Sequence, residues 1–158
     1  MSRRDEADLP PLVRFYQVAG EVESFLARVV SKAYEKGLKV CVVARSEEQA
    51  RELDQFLWRY PGGDAFLPHE LCGGPRAARQ PVLVCAEAVD INGATVAVMA
   101  GGQLLAEPHR FDRVIDFTLS DDQQALAASR ERFRRYREMG CRMEYIRQEP
   151  GGGWSQQE

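Results

Sequence analysis

The chain has 158 residues, of which 44% are hydrophobic and 28% charged, a composition typical of one ordinary globular domain. Its 24 acidic and 21 basic side chains give a net charge of −3. This balance excludes a protein that coats nucleic acid over its whole surface, and it leaves room for a local basic patch.

The first half of the chain alternates between strand and helix patterns. A short β-type run at 13–16 precedes residues 22–33, whose apolar side chains recur at i, i+3, i+4 and i+7 and predict an amphipathic helix. The continuous apolar run at 39–44 is typical of a strand buried on both faces. A capping box at 46–49 then opens a second helix, which ends at the breaker cluster 60–63. This alternation predicts βαβ units.

The second half continues the same fold class after a region rich in loops. Further strands are predicted at 82–85, 95–99, 113–117 and 142–146. A second capping box at 120–123 predicts a long helix that ends near residue 140. We therefore expect a single α/β domain with three layers, a Rossmann-like open and mostly parallel sheet flanked by helices.

The two ends of the chain and its cysteines bear on the location of the protein. Residues 1–11 lack the apolar core of a signal peptide, and no apolar stretch is long enough to span a membrane. We expect a flexible segment over 1–11, the folded domain over 12–148 and a flexible tail over 149–158. Four scattered cysteines without a C-x-x-C pair predict reduced thiols and no metal site. These features predict a cytoplasmic protein that does not bind a membrane.

Motifs for catalysis are missing from the sequence. It contains no glycine-rich phosphate loop, no G-x-S-x-G elbow and no H-E-x-x-H motif. His69 follows a proline in a short apolar run and is interpreted as a structural, hydrogen-bonding histidine, while His109 is interpreted as solvated. Asp116, near the end of a predicted strand, is a single acid and does not make a catalytic pair. We expect a binding module with no catalytic residue and no cofactor.

The predicted long helix carries an unusual basic segment. Residues 130–137 include five arginines and two aromatic residues. Arg130, Arg134 and Arg137 share one face, and an apolar stripe adjoins it. The stripe consists of Leu126, Ser129, Phe133 and Tyr136. Two interpretations stay open: a solvated face beside an ordinary core stripe, or a dock for an anionic ligand with an apolar end, such as an acidic peptide or a nucleic-acid strand.

A second candidate surface lies around Trp58. This residue falls outside the inward stripe of its helix, so it could be exposed at the helix end. Together with Phe66, Leu67 and Pro68 it would form an apolar patch suited to a protein partner. The alternative is a tryptophan that folds under the following loop and belongs to the core.

The ordered set of these pieces resembles a known family, the chi subunit of bacterial DNA polymerase III. The resemblance runs from residue 13 to residue 146. It is carried by Leu53-Asp54 with Leu57-Trp58, by the runs 66–69 and 115–117, and by the arginine-rich segment up to Gly140. The ending 141–147 is similar to the alphaproteobacterial branch. The resemblance implies a non-catalytic accessory protein of the clamp loader.

The resemblance also implies two partners. The first is the acidic, Phe-ended C-terminal tail of single-stranded DNA-binding protein, and the second is the psi subunit or a helicase-type protein. The tail would bind at residues of the long helix with Thr118 at the edge of the site. The implied tail-binding residues are Thr118, Leu126, Arg130, Phe133, Arg134 and Arg137. Trp58, Phe66, Leu67 and Pro68 would face the second partner.

The chain departs from the family pattern in its tail site. A tail-binding lysine of the family is absent from the matching stretch 123–125, Phe133 replaces the usual tyrosine, and Arg134 replaces a lysine. DNA would be reached indirectly, through the holoenzyme. An alternative hypothesis is a module that binds single-stranded nucleic acid directly through the ridge 130–137, and the net charge weighs against it. A nucleotide-dependent enzyme is a third reading, and the missing phosphate loop opposes it.

Overall fold

The structure, a computed structural model, describes residues 9–60, 67–148 and 154–157. In these residues eight strands form one sheet in the order β3-β4-β2-β5-β6-β1-β7-β8, in which only β8 runs antiparallel. The strands are β1 Leu12–Val18, β2 Val40–Val43, β3 Glu70–Leu71, β4 Val82–Cys85, β5 Val96–Met99, β6 Arg113–Leu119, β7 Arg142–Gln148 and β8 Trp154–Gln157. The helices are α1 Val22–Glu35, α2 Glu47–Arg59 and α3 Gln123–Glu138, with 3-10 turns at Ala77–Arg79 and Pro108–Arg110.

Two separate cores confirm the three-layer α/β architecture. On one face of the sheet, α1 and α2 bury apolar side chains such as Leu26 and Leu57 against the strands. On the other face, α3 buries Tyr136 against Phe15 and neighbouring residues of the second core. Parallel strands covered on both faces carry continuous apolar runs, which is why β2, β4 and β5 are buried at every position.

The helix starts follow from local hydrogen bonds. The Ser46 hydroxyl accepts a hydrogen bond of 3.1 Å from the Gln49 amide, as the first capping box predicts. The second capping box is wrong by two residues, because the N-cap of α3 is Asp122 rather than Ser120 and the helix begins at Gln123. The Asp122 carboxylate accepts the amide proton of Ala125 at 3.0 Å, whereas Ser120 still bonds to the end of β1.

Both predicted flexible ends contain ordered residues. The main-chain oxygens of Pro10 and Pro11 accept hydrogen bonds from Arg142 of β7, so the fold begins before residue 12. Strand β8 lies within the predicted tail 149–158 and pairs with β7, with Arg147 opposite Ser155. The polar sequence of β8 gives no strand signal, because its pairing depends on the free edge of β7. None of the helices in the described residues is long and apolar enough to cross a membrane.

Candidate protein-docking surfaces

A buried ion pair fixes the helix that carries the basic segment. Asp116 of β6 is 0% exposed and Arg132 of α3 is 8% exposed. The guanidinium donates hydrogen bonds of 2.8 and 3.1 Å to the two carboxylate oxygens, and the Phe117 amide donates one of 2.7 Å. Burial raises the pKa of Asp116, while these donors act in the opposite direction. Asp116 is therefore an anchor for α3, and Arg132 is no part of the exposed ridge.

Phe133 lies on the flank of α3 in a cluster of aromatic rings. Its ring centroid is 5.7 Å from that of Phe15 and 6.2 Å from that of Tyr145 on β7. Phe15 in turn packs against Tyr136 at 6.1 Å, and the Tyr136 hydroxyl accepts a hydrogen bond of 2.7 Å from the Leu105 amide. Phe133 itself is only half-buried. Phe133 is therefore partly exposed where α3 meets β7, and together with Tyr145 it forms an aromatic seam between these two elements.

Exposed cations surround this aromatic seam. The Arg137 guanidinium lies 6.0 Å from the Phe133 ring centroid. Arg130 and Arg147 are close enough to Tyr145 that their charges lower the pKa of its hydroxyl, against the stronger effect of burial, which raises it. Within the described part of the chain, none of these three arginines is in an ion pair. Their charges are available to an anionic ligand.

Arg134, the third arginine of the predicted ridge beside Arg130 and Arg137, is already paired. It donates hydrogen bonds to Glu131 and to Glu138, which lie one turn before and after it on the exposed side of α3. The bond to Glu131 raises the pKa of the guanidinium. Arg134 must exchange these intrahelical partners before it can bind another carboxylate.

Two other predicted site residues, Thr118 and Leu126, are buried. Thr118 lies two residues beyond Asp116 and therefore on the same face of the sheet. Its hydroxyl oxygen has no hydrogen-bond partner within the described residues. Gln17 of β1 is in register with Thr118 on one side and with Arg147 on the other. The helical spacing identified residues of α3 only, so Gln17, Tyr145 and Arg147 were not among the predicted site residues. Tyr145 and Arg147 are two residues apart, which is the spacing of side chains on one face of a strand, and this signal was present in the sequence.

The second predicted surface is only partly exposed. Trp58, at the end of α2, is 54% exposed, and its ring centroid lies 4.2 Å from that of His69. The prediction that Leu67 belongs to an exposed patch is wrong: Leu67 is 4% exposed and packs in the core beneath α2. Pro68 is half-buried, and Phe66 lies outside the described residues.

His69 has the structural role that the sequence predicted. Its Nδ1 lies 2.8 Å from the main-chain oxygen of Leu67, and its Nε2 lies 3.1 Å from that of Asp54. It therefore links the segment before β3 to α2 and supports the Trp58 ring. Because α2 and α3 cover opposite faces of the sheet, the Trp58 surface and the Phe133 seam belong to different layers.

Comparison with known proteins assigns the chain to a family. Residues 11–144 match the model of the family described as DNA polymerase III chi subunit, HolC. The DNA polymerase III subunit chi of Haemophilus influenzae (strain ATCC 51907 / DSM 11121 / KW20 / Rd) is 27% identical over 120 residues, which cover 75% of this chain and 82% of that protein. These matches confirm the resemblance read from the sequence: the chain belongs to the DNA polymerase III chi subunit family, whose role is that of an accessory subunit in DNA replication.

Proposed function

We propose that this chain is an adaptor that binds the acidic C-terminal tail of single-stranded DNA-binding protein at the seam of α3 and a second replication or repair protein at Trp58. The observation that carries the proposal is the half-buried Phe133 ring between arginines that lack ion-pair partners in the described residues. This arrangement combines an apolar wall with fixed positive charge.

The chemistry of the tail matches both parts of the seam. Guanidinium groups bind carboxylates through paired, charge-assisted hydrogen bonds, so Arg130 and Arg137 would hold the acidic side chains and the terminal carboxylate. The terminal phenylalanine ring would pack against Phe133, above Leu126 and Thr118. Arg134 would contribute less, because Glu131 and Glu138 compete for it.

A peptide that ends in Pro-Phe after an acidic stretch tests this site. We expect micromolar binding by fluorescence polarisation, weakened by added salt because the contacts are ionic. The same peptide without its final phenylalanine is the control, and we expect it to lose most of the affinity. Equal binding of both peptides would contradict a specific phenylalanine pocket. Tight binding of a single-stranded oligonucleotide in place of the peptide would favour the direct nucleic-acid module.

The second partner is expected to cover Trp58. Exposed tryptophans supply much of the binding energy where they become buried in an interface. Trp58→Ala should therefore weaken binding of purified psi or of a helicase-type partner by about 2 kcal/mol or more, measured by calorimetry. Binding of the acidic tail peptide should be unchanged, because it uses the opposite layer. If Trp58→Ala weakened binding of the second partner and of the tail peptide together, this result would contradict the proposal of two independent surfaces.

A further inference from the structure

Three of the four cysteines lie side by side near one edge of the sheet. Cys41 is on β2, Cys85 is the last residue of β4, and Cys72 directly follows the edge strand β3. Cys41 and Cys85 are buried, whereas Cys72 is exposed, and all three are free thiols. The side chains of Cys41 and Cys85 belong to the same core, on the α3 face of the sheet.

Cys72 and Cys85 each come one residue after a registered pair of β3 and β4, and continuing this register by one residue places Cys72 opposite Cys85. Leu71 of β3 is in register with Val84 of β4, and the Cys72 amide donates a hydrogen bond of 2.9 Å to the Val84 oxygen. Opposed residues on neighbouring strands lie about 4.8 Å apart and point to the same face. A disulfide spans Cα separations of about 4.4–6.8 Å. Cys72 and Gly73 form the turn that ends β3, and Gly73 has a φ of +92°, which favours glycine.

Cys41 is worse placed to form a disulfide with Cys85. It is in register with Leu83, two residues before Cys85 on β4. This offset puts the two Cα atoms about 8 Å apart, beyond the reach of a disulfide without movement of the backbone. Cys41 is also separated from Cys72 by strand β4. The register therefore selects Cys72 and Cys85 as the pair.

We propose that Cys72 and Cys85 are a modification site, a thiol pair that a peroxide closes to a disulfide. The exposed Cys72 sulfur attacks the O–O bond of hydrogen peroxide, so an S–O bond forms and water leaves, which oxidises Cys72 to a sulfenic acid. The Cys85 sulfur then attacks the Cys72 sulfur. The S–S bond forms, the S–O bond breaks, and the hydroxide takes the Cys85 proton as a second water. Two thiols and one peroxide thus give one disulfide and two waters.

The pair is connected to the candidate docking surface at Trp58. Strand β3 continues directly from His69, whose ring contacts Trp58 and whose nitrogens bond to Leu67 and Asp54. A disulfide at Cys72 would tie the end of this segment to β4. Oxidation would therefore restrain the segment that supports Trp58. The α3 seam should stay unchanged, because α3 packs over β6 and β7 and strands β2 and β5 separate β4 from β6.

Peptide mapping tests the proposal, because each cysteine falls in a different tryptic peptide. Cys41, Cys72, Cys85 and Cys141 lie in the peptides 40–45, 60–76, 80–110 and 138–142. The full chain is treated with hydrogen peroxide, unfolded, alkylated and digested. We expect a mass loss of two hydrogens and a linked species of peptides 60–76 and 80–110. Cys41→Ser should still form it, and Cys72→Ser should not.

Other distributions of oxidation would overturn the assignment. One such outcome is oxidation of Cys72 to a sulfinic acid or to an intermolecular disulfide, with Cys85 still fully alkylated. A linkage of Cys85 to Cys41 would contradict the selection by register. The Cys41→Ser variant keeps the outcome clear, because it retains the exposed thiol and its proposed partner. If the pair closes as expected, thermal unfolding of the oxidised wild type should shift to higher temperature and that of Cys72→Ser should not.

Discussion

Arg132→Ala is expected to lower the free energy of unfolding by about 3–5 kcal/mol, because it leaves the buried carboxylate of Asp116 without its ionic partner. Asp116 is 0% exposed and receives two hydrogen bonds from this guanidinium. Water cannot replace them at no cost in the interior, so the charge must be buried uncompensated or neutralised by a proton. Urea unfolding followed by circular dichroism measures the loss.

The neighbouring Arg135 provides a matched control for this prediction. It lies on the same helix but is exposed, and Arg135→Ala should change the free energy of unfolding by less than about 0.5 kcal/mol. A double variant, Asp116→Val with Arg132→Met, removes both charges and fills the space with apolar groups. It should recover most of the stability, since buried ion pairs are often replaceable as a pair. A single Arg132→Ala variant as stable as the control would contradict the role of the pair as an anchor.

Arg130→Ala combined with Arg137→Ala is expected to weaken binding of the acidic tail peptide by at least about a hundredfold. Each lost charge-assisted contact should cost about 1.5–3 kcal/mol, and about 1.4 kcal/mol corresponds to a factor of ten. Both side chains are exposed and outside the core, so the fold should stay intact. Fluorescence polarisation with the peptide at two salt concentrations measures the affinity and the salt dependence, which should both fall.

Three further variants test whether the loss of affinity is specific to the residues of the seam. Arg135→Ala removes the same charge from the opposite flank of α3 and should leave the affinity unchanged. Arg134→Ala should have an intermediate effect, because Glu131 and Glu138 already neutralise part of its charge. Phe133→Leu keeps an apolar side chain without the ring and should weaken the peptide that ends in phenylalanine more than the peptide without it. Equal losses for Arg130→Ala and Arg135→Ala would show that the peptide responds only to net charge.

Much of the fold could be predicted from local patterns. The apolar stripe of α1, the capping contact of Ser46 and the unbroken apolar runs of β2 and β4 involve residues within a few positions of one another. Such signals report which face or segment must leave water, and this is a property of the sequence itself. The resemblance to the chi family followed from the order of short motifs in the same way.

The ion pairs of Arg134 with Glu131 and Glu138 could also have been predicted from the sequence. Residues three and four apart on a helix are neighbours, so this spacing of opposite charges predicts intrahelical ion pairs. The predicted ridge included only arginines and left out these two glutamates.

Local patterns in the sequence predicted the three helices and six of the eight strands of the described residues, together with the family and the basic segment. Which side chains of that segment face a ligand depends on the tertiary structure. Arg132 is buried because Asp116 on a strand needs a counter-charge, and nothing adjacent in sequence shows this. Leu67 is buried because α2 covers it, and β8 forms because β7 has a free edge. The seam is formed by side chains from two elements, Phe133 of α3 and Tyr145 and Arg147 of β7. Burial and pairing of this kind are set by contacts between distant segments, which a local pattern does not contain.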